Sequence, residues 1–414
     1  MKRAYLNEMK LMPHILKMEQ RGVCLDIQTL TKDVDFYFAK LEELDEQICE
    51  TVRRTVDVDS NAELADAIEA AGLSKGFATT PTGKRSTAKE SLIGAISDPK
   101  LLGRLLVRSS IATCLRTFMH PWLLQAQSHG RLYIKWNQIR NYTDTGARTG
   151  RLSSSPNLQN VPVMWEALLA QLDGIGYELE FLLPSVRKYL IPRDGCVFVS
   201  RDYSAQEMKL LAHFTEGGLL ESLRADPGKD IHLIAADIAG ITRKVAKTLG
   251  FAVLYGAGVG RIAESLSIGV SEATTIKKRY LSALPEIKAF QDRLTKTGRS
   301  GGYIETLGGR QYYVQKPAVV AGIFRTFEYK LTNYMIQGSA ADQTKEAMYR
   351  YCTSPGHGEL VLSVHDALVV QAPRENLNFE RARLEAAVNG AYQDVLKYEV
   401  RSDESIGDNF AEMK

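Results

Sequence analysis

The chain has 414 residues, 44 % of them hydrophobic and 24 % charged, with a formal net charge of +3. That supports a large core and more than one domain, and leaves any nucleic-acid partner to be argued from local clusters rather than total charge. No apolar run approaches the ~18 residues of a membrane span, the start "MKRAYLNEMKLMPHIL" lacks a signal peptide's apolar core and cleavage site, and the scattered Cys24, Cys49, Cys114, Cys196 and Cys352 suit reduced thiols in the cytosol, with no metal-type spacing.

Residues 1–75 read as mostly helix. "PHILKMEQRGVCLD" carries Leu16 and Met18 before a stop at Gly22, and "TLTKDVDFYFAKLEELDEQICETVRR" spaces its apolar residues helically over several turns. "KGFATTPTGKRSTAKES" is a polar loop. Residues 88–127 are helical again, with Arg104, Arg108 and Arg116 roughly on one face, either a solvated surface or a cationic grip. From 131, β-formers give way to the Gly/Ser/Thr/Asn loop of "RLYIKWNQIRNYTDTGARTGRLSSSPNLQNVP". "CVFVSRDYSAQEMKLLAHF" reads as a buried strand ending at Asp202, then a helix. Residues 230–300 are mainly helical, "GGYIETLGGRQYYV" is a hairpin, and "FEYKLTNYMIQGSAADQTKEAMYRY" is a long helix. "LVLSVHDALVVQAP" predicts two buried strands joined by a very short turn, with a last helix near 375–397.

A carboxylate at the tip of that turn is costly to bury unless something binds it. Asp366 stands there, and Asp202 ends another apolar run. Two carboxylates on adjacent strand ends can share two divalent ions, an arrangement suited to in-line phosphoryl displacement. A cap or turn role for each Asp is the plain alternative. In "TRKVAKTLGFAVLYGAG", Arg243, Lys247, Phe251 and Tyr255 recur at intervals of four, a drifting helical stripe of two cations and two aromatics stopped by Gly256. Cations of this kind hold a polyphosphate while a ring stacks on a base; the same pattern also suits an amphipathic helix whose cations snorkel.

These segments, in this order, resemble family A DNA polymerases, the bacterial DNA polymerase I group and its phage relatives. "TGRLSSSPNLQNVP" is similar to the family's primer–template loop, "DYSAQEMKLLAHF" to motif A, "RKVAKTLGFAVLYG" to motif B on the O-helix, and "SVHDALVV" to motif C. "TPTGKRS", "GKDIH", "ETLGGRQYY" and "NYMIQGSAAD" match as well, so the similarity runs from about residue 8 to the C-terminus. It implies an α+β right-hand polymerase fold, with a palm of antiparallel sheet plus helices, helical fingers and a helical thumb. Residues 1–130 would form the lead-in and thumb, 131–212 the first part of the palm, 213–339 the fingers and 340–414 the second part of the palm.

By the same resemblance, Asp202 and Asp366 are the metal-binding catalytic aspartates, with Tyr203 a ligand through its carbonyl. Arg243, Lys247 and His232 hold the incoming triphosphate, Phe251 packs on its sugar and base, and Tyr255 sits where the templating base enters. Glu207 is the steric gate against the ribose 2′-hydroxyl. Arg151, Asn333, Gln337, Arg310 and His365 contact primer and template near the terminus. Two Mg²⁺ ions are implied as cofactors, with Mn²⁺ as a substitute. The implied partners are primer–template DNA, dNTPs, and a separate exonuclease or processivity factor, with no membrane. The implied setting is a monomer in the cytoplasm of a bacterial or phage-infected cell. Arg104, Arg108 and Arg116 would then grip duplex phosphates.

Three departures stand out. Ala367 follows the motif C Asp where the family usually has Glu or another polar residue, which puts metal choice in question. Ala205-Gln206 replaces Gln-Ile, removing a polar side chain near the primer and adding one a position later. The chain begins where the family's 3′–5′ exonuclease domain would end, and Asp33/Asp35 and Asp57/Asp59 read as solvated charges rather than a nuclease site, so no proofreading is expected of it. A single-subunit RNA polymerase, which shares the aspartates and the stripe, and an inactive DNA-binding relative are the alternatives.

Overall fold

The structure is a computed structural model and describes residues 2–80, 83–163, 165–320 and 322–413. Pro81 and Thr82 of "TPTGKRS" lie outside the described residues. The chain forms two compact units, one of Met1–Gly22, Ile134–Gln159 and Arg193–Gly407, the other of Val23–Tyr133, Asn160–Pro192 and Asp408–Lys414. Residues 1–22, grouped in sequence with the helical N-terminal part, thus belong with the first unit.

The first unit is built around a four-stranded, wholly antiparallel sheet. Its order is Glu359–Val364, Ala367–Pro373, Cys196–Asp202, Asp403–Gly407. Val197, Phe198 and Val199 in one inner strand and Leu368, Val369 and Val370 in the other are almost fully buried. Strands buried on both faces read as continuous apolar runs, which is why both were legible. The helices Lys330–Thr353 and Leu377–Gly390 pack on the sheet and on each other.

Two short turns aim the sheet's ends. The hairpin closes with Val364 paired to Ala367, leaving His365 and Asp366 as a two-residue loop. Such loops demand positive φ, and His365 supplies it at 54°. After Asp202, Ser204 and Ala205 are both left-handed, at φ 43° and 56°. Consecutive non-glycine residues in that region are strained by roughly 1–3 kcal/mol each. The turn they make starts the helix Gln206–Thr215 beside the strand tip.

Helices dominate residues 231–299. Asp230 caps Ile231–Ala239 by accepting the His232 and Leu233 amides, and Thr242 caps Arg243–Tyr255 through the Val245 amide. Gly240 and Gly256, both left-handed, end these helices. The hairpin read in "GGYIETLGGRQYYV" pairs Tyr303–Glu305 with Gln311–Tyr313.

The second unit is mostly helical: Ile27–Thr51, Asn61–Ala70, Lys89–Ala95, and Pro99–Cys114, which runs through a π-helical turn at Leu115–Met119 into His120–Ala126. Three differences from the sequence reading concern short or polar elements. Val23–Leu25 is a strand, paired with Arg131–Leu132 and Leu190–Ile191. Ala318–Val320 and Ile323–Arg325 form a second hairpin, and the last helix stops at Gly390. No helix among the described residues is long and apolar enough to cross a membrane.

The three arginines are a clearer correction. Arg108 is buried and paired with Asp45 at 2.7 Å and with Asp59; Arg116 pairs with Asp59; Arg104 donates to the Thr51 hydroxyl at 2.8 Å. Arg104 and Arg108 tie neighbouring segments together, and Arg116, though half-exposed, is committed to Asp59 rather than standing as an unpaired cation. Asp59 is therefore ion-paired rather than solvated, and so is Asp33, which takes Lys188 at 2.7 Å and the Tyr189 hydroxyl at 2.6 Å. Arg108→Ala, by leaving Asp45 without its cation and Asp59 with Arg116 alone, should lower stability by about 1–3 kcal/mol in urea unfolding. An unchanged midpoint would show the pairing to be idle.

Candidate active site

Asp202 ends the inner strand, and its register neighbours are Ala367 on one side and Asp403 on the other. Asp366 precedes Ala367, so the two aspartates meet at adjacent strand tips. Burial pushes the Asp366 carboxyl up to about 6, against the pull of Arg151, with Glu207 and Asp202 adding to the rise. Burial raises Asp202 as well, opposed by the Ser204 amide, with Asp403 adding its repulsion.

Arg151 faces this tip. Gly150 before it is left-handed at φ 76°, and a Cβ there would stand 3.0 Å from the Arg310 guanidinium, so the turn that delivers Arg151 needs glycine. The Arg151 Nη2 donates to Glu207 Oε1 at 2.7 Å and to Asp366 Oδ1 at 3.0 Å. The Tyr255 hydroxyl donates to the Glu207 carboxylate, 3.1 and 3.2 Å from its oxygens. Gln337 Nε2 donates to Tyr255 Oη at 2.8 Å and to Glu207 Oε1 at 3.3 Å. Five expected site residues, spread over nearly 220 positions of sequence, thus form one bonded cluster. A cavity of about 260 Å³ opens beside it, lined by Arg151, Gln159, Gln337, Ser363 and His365 among others.

The cationic stripe forms as its spacing predicts. Arg243, Lys247, Phe251 and Tyr255 lie on one helix, with the Phe251 and Tyr255 ring centroids 6.2 Å apart. Lys247 is exposed, while Arg243 is half-exposed and paired with Asp230 at 2.6 Å. His232 is buried with its ring centroid 5.9 Å from that of Phe251, and its Nδ1 has no partner among the described residues.

Other expected residues are placed differently. Arg310 is mostly buried and spent on Glu8 and Asp342, behind the Gly150 turn. Asn333 is half-buried on the helix that carries Gln337, and His365 is exposed beside Asp366. The Tyr203 side chain points into the core, its hydroxyl donating to the Val388 carbonyl at 2.9 Å, so only its backbone could serve a ligand. Gln206 faces away from the site: buried, it donates to Gln343 Oε1 at 2.9 Å.

Sequence reasoning missed Asp403. It sits opposite Asp202 and accepts from the Ser204 hydroxyl, yet its strand is five residues long and polar, so no apolar pattern announces it. Lys209, whose ammonium is pushed down by burial while Asp403 and Asp202 pull it up, is the other unread member.

Among the described residues no three His, Cys, Asp or Glu side chains are arranged to hold a metal ion. The carboxylates that meet here are the hard oxygens that Mg²⁺ takes when it retains water or phosphate ligands. Carboxyls raised by burial and mutual repulsion mark a place short of positive charge. The residues fit such a cation, with Arg151 now occupying one oxygen of Asp366.

The model of DNA polymerase family A matches residues 28–412. The chain is 32 % identical over 391 residues to a thermostable DNA polymerase I of Thermus filiformis, covering 91 % of this chain and 44 % of that protein. It is 31 % identical over 419 residues to DNA polymerase I of Deinococcus radiodurans, covering 96 % and 41 %. The chain therefore spans somewhat under half the length of these relatives. The POL domain of Pol1 from M. smegmatis, solved in complex with DNA primer-template and dNTP, superposes with a TM-score of 0.80 at 22 % identity, over 98 % of this chain and 70 % of that one.

Because Asp366 holds its proton more tightly in the fold than in an unfolded chain, where a carboxyl titrates near ~3.9, its ionisation costs stability as pH rises from about 4 to about 6. Asp366→Asn should therefore be more stable than the parent by about 1–3 kcal/mol at pH 8 in EDTA, the gap closing towards pH 4. Equal urea midpoints at both pH values would refute the burial argument.

Proposed function

The chain belongs to DNA polymerase family A, and on that premise we propose that it is a template-directed DNA polymerase, adding dNTPs to a primer 3′-OH with release of pyrophosphate. The observation that carries this reading is the pair Asp202 and Asp366 at neighbouring strand tips, with Arg151 bonded to Asp366 and to Glu207, and Tyr255 and Gln337 bonded to Glu207 and to each other.

Two Mg²⁺ ions, held by Asp202, Asp366 and the Tyr203 carbonyl, would supply Lewis-acid activation of the primer hydroxyl and charge neutralisation at the phosphates. The protein's own residues do the rest. Lys247 and Arg243 draw the triphosphate to the exposed face of their helix, Arg243 exchanging Asp230 for phosphate oxygens. His232 offers its unpartnered Nδ1 from the buried side. Phe251 packs the sugar and base, and Glu207, fixed by three donors, fills the space a 2′-hydroxyl would need. Arg151 and Gln337 present donors to minor-groove acceptors of the terminal pair, a contact that accepts any base pair; Asn333 and His365 extend that surface, and Arg310 supports it from behind. The strand-tip sheet is the palm, residues 213–339 the fingers, and the helical residues 23–130 the thumb. Primer–template DNA and dNTPs are the partners, and the cytoplasm of a bacterial or infected cell the setting.

Primer extension is the test. Asp366→Ala should lose extension by on the order of 10³-fold while binding primer–template within about two-fold of the parent, since phosphate contacts carry most affinity. Retained extension would overturn the assignment. Glu207→Ala should raise the ratio of rNTP to dNTP incorporation, and an unchanged ratio would remove Glu207 as the sugar filter.

A further inference from the structure

One nitrogen, Arg151 Nη2, serves both Glu207 and Asp366. The two acids are not equally dependent on it. Glu207 keeps the Tyr255 hydroxyl as a donor if the guanidinium leaves, whereas among the described residues Arg151 is the side chain that donates to Asp366. The arginine is also within reach of another ligand: its side chain retains 24 % of its exposure and lines the cavity beside His365 and Gln337.

We propose that Arg151 makes divalent-cation loading at Asp366 conditional on a correctly paired primer terminus. The inference rests on the polymerase reading above and adds a coupling to it. A guanidinium and a metal ion compete for the same carboxylate oxygen, and as like charges they oppose each other at hydrogen-bond range. Anything that draws Arg151 off Asp366 therefore strengthens cation binding there, and the cation in turn strengthens whatever drew it off by the same factor. The acceptors able to do so are purine N3 and pyrimidine O2, which occupy equivalent minor-groove positions in all four Watson–Crick pairs. A matched terminus offers them whatever the sequence. A mismatched one displaces them, and Arg151 stays on Asp366. Glu207 stays held by the Tyr255 hydroxyl in either case, so sugar selection stays independent of the switch.

The test measures Mn²⁺ affinity from the free-ion EPR signal, without dNTPs. Parent protein, Arg151→Met and Arg151→Lys are each titrated alone, with saturating matched primer–template, and with the same duplex carrying one terminal mismatch. Matched duplex should tighten Mn²⁺ binding by the parent about ten-fold, and mismatched duplex less than about two-fold. Arg151→Met should bind Mn²⁺ about ten-fold tighter than the parent without DNA and should not distinguish the two duplexes. Arg151→Lys, which keeps a cation near Asp366, should restore part of the distinction. Circular dichroism melting checks that the variants fold, and fluorescence anisotropy sets duplex saturation. A parent protein blind to the mismatch, or an Arg151→Met protein with the parent's coupling, overturns the proposal while leaving the polymerase reading intact. Mn²⁺ binding that Asp366→Ala does not weaken overturns both.

Discussion

The constraint on which this site depends is an excess of acid at the end of a buried sheet. Asp202, Asp366, Glu207 and Asp403 crowd one end of the sheet, and the cationic groups acting on them include Arg151, His365 and Lys209, the last with its ammonium depressed by burial. Carboxylates so placed rise above their usual range or find positive charge. Local geometry reflects that pressure. Left-handed backbone at Ser204, Ala205 and His365 presents the acids at the tips, and Gly150 lets the Arg151 turn come close enough to answer them. A cluster that repels itself and is strained to stay in place is poor engineering for stability. It suits a place where charge must be supplied on demand.

Behind the site a second electrostatic arrangement fixes the scaffold. The helix Lys330–Thr353 turns buried Asp342, Lys345 and Glu346 to its neighbours. Asp342 holds Arg310, Glu8 joins Arg310 to Lys345, and Glu346 takes Arg3 at 2.7 Å from the first helix. Burial pushes the Lys345 ammonium down to about 8, with Glu8 pulling against it. Such networks add little net stability, but each partner removed strands another in low dielectric. They thus specify one register of the first helix against the helix that carries Gln337. The Gln206–Gln343 amide pair does the same for the helix that carries Glu207.

This division explains which parts could be read from the sequence. The inner strands announce themselves because both faces are apolar, and the stripe on Arg243–Tyr255 because helical spacing is regular. Asp202 and Asp366 stand out in the sequence because a charge at the end of an apolar run demands a reason, and the register sets them at adjacent strand tips. Arg108 was misread since spacing shows which face an arginine occupies but not that Asp45 and Asp59 await it from 63 and 49 residues away. Arg310 was placed at the DNA by family pattern, whereas its geometry is set by Glu8, over 300 positions distant in sequence. Long-range ion pairs leave no local signature, and Asp403 lies in a strand too short and polar to have a period.

Ala367 acquires a physical reading from the same register. Asp403, Asp202 and Ala367 form one cross-strand row, and residues directly opposite in such a row place their side chains on the same face. Like charges in those positions repel, so a carboxylate at 367 would flank Asp202 with acid on both sides while Asp366 stands one residue away. Arg151 is already divided between Glu207 and Asp366. Alanine at 367 removes one charge from the row and leaves Asp403 as the neighbouring acid of Asp202. The acid absent from the hairpin thus has a counterpart across the sheet, where Ser204 and Lys209 moderate it.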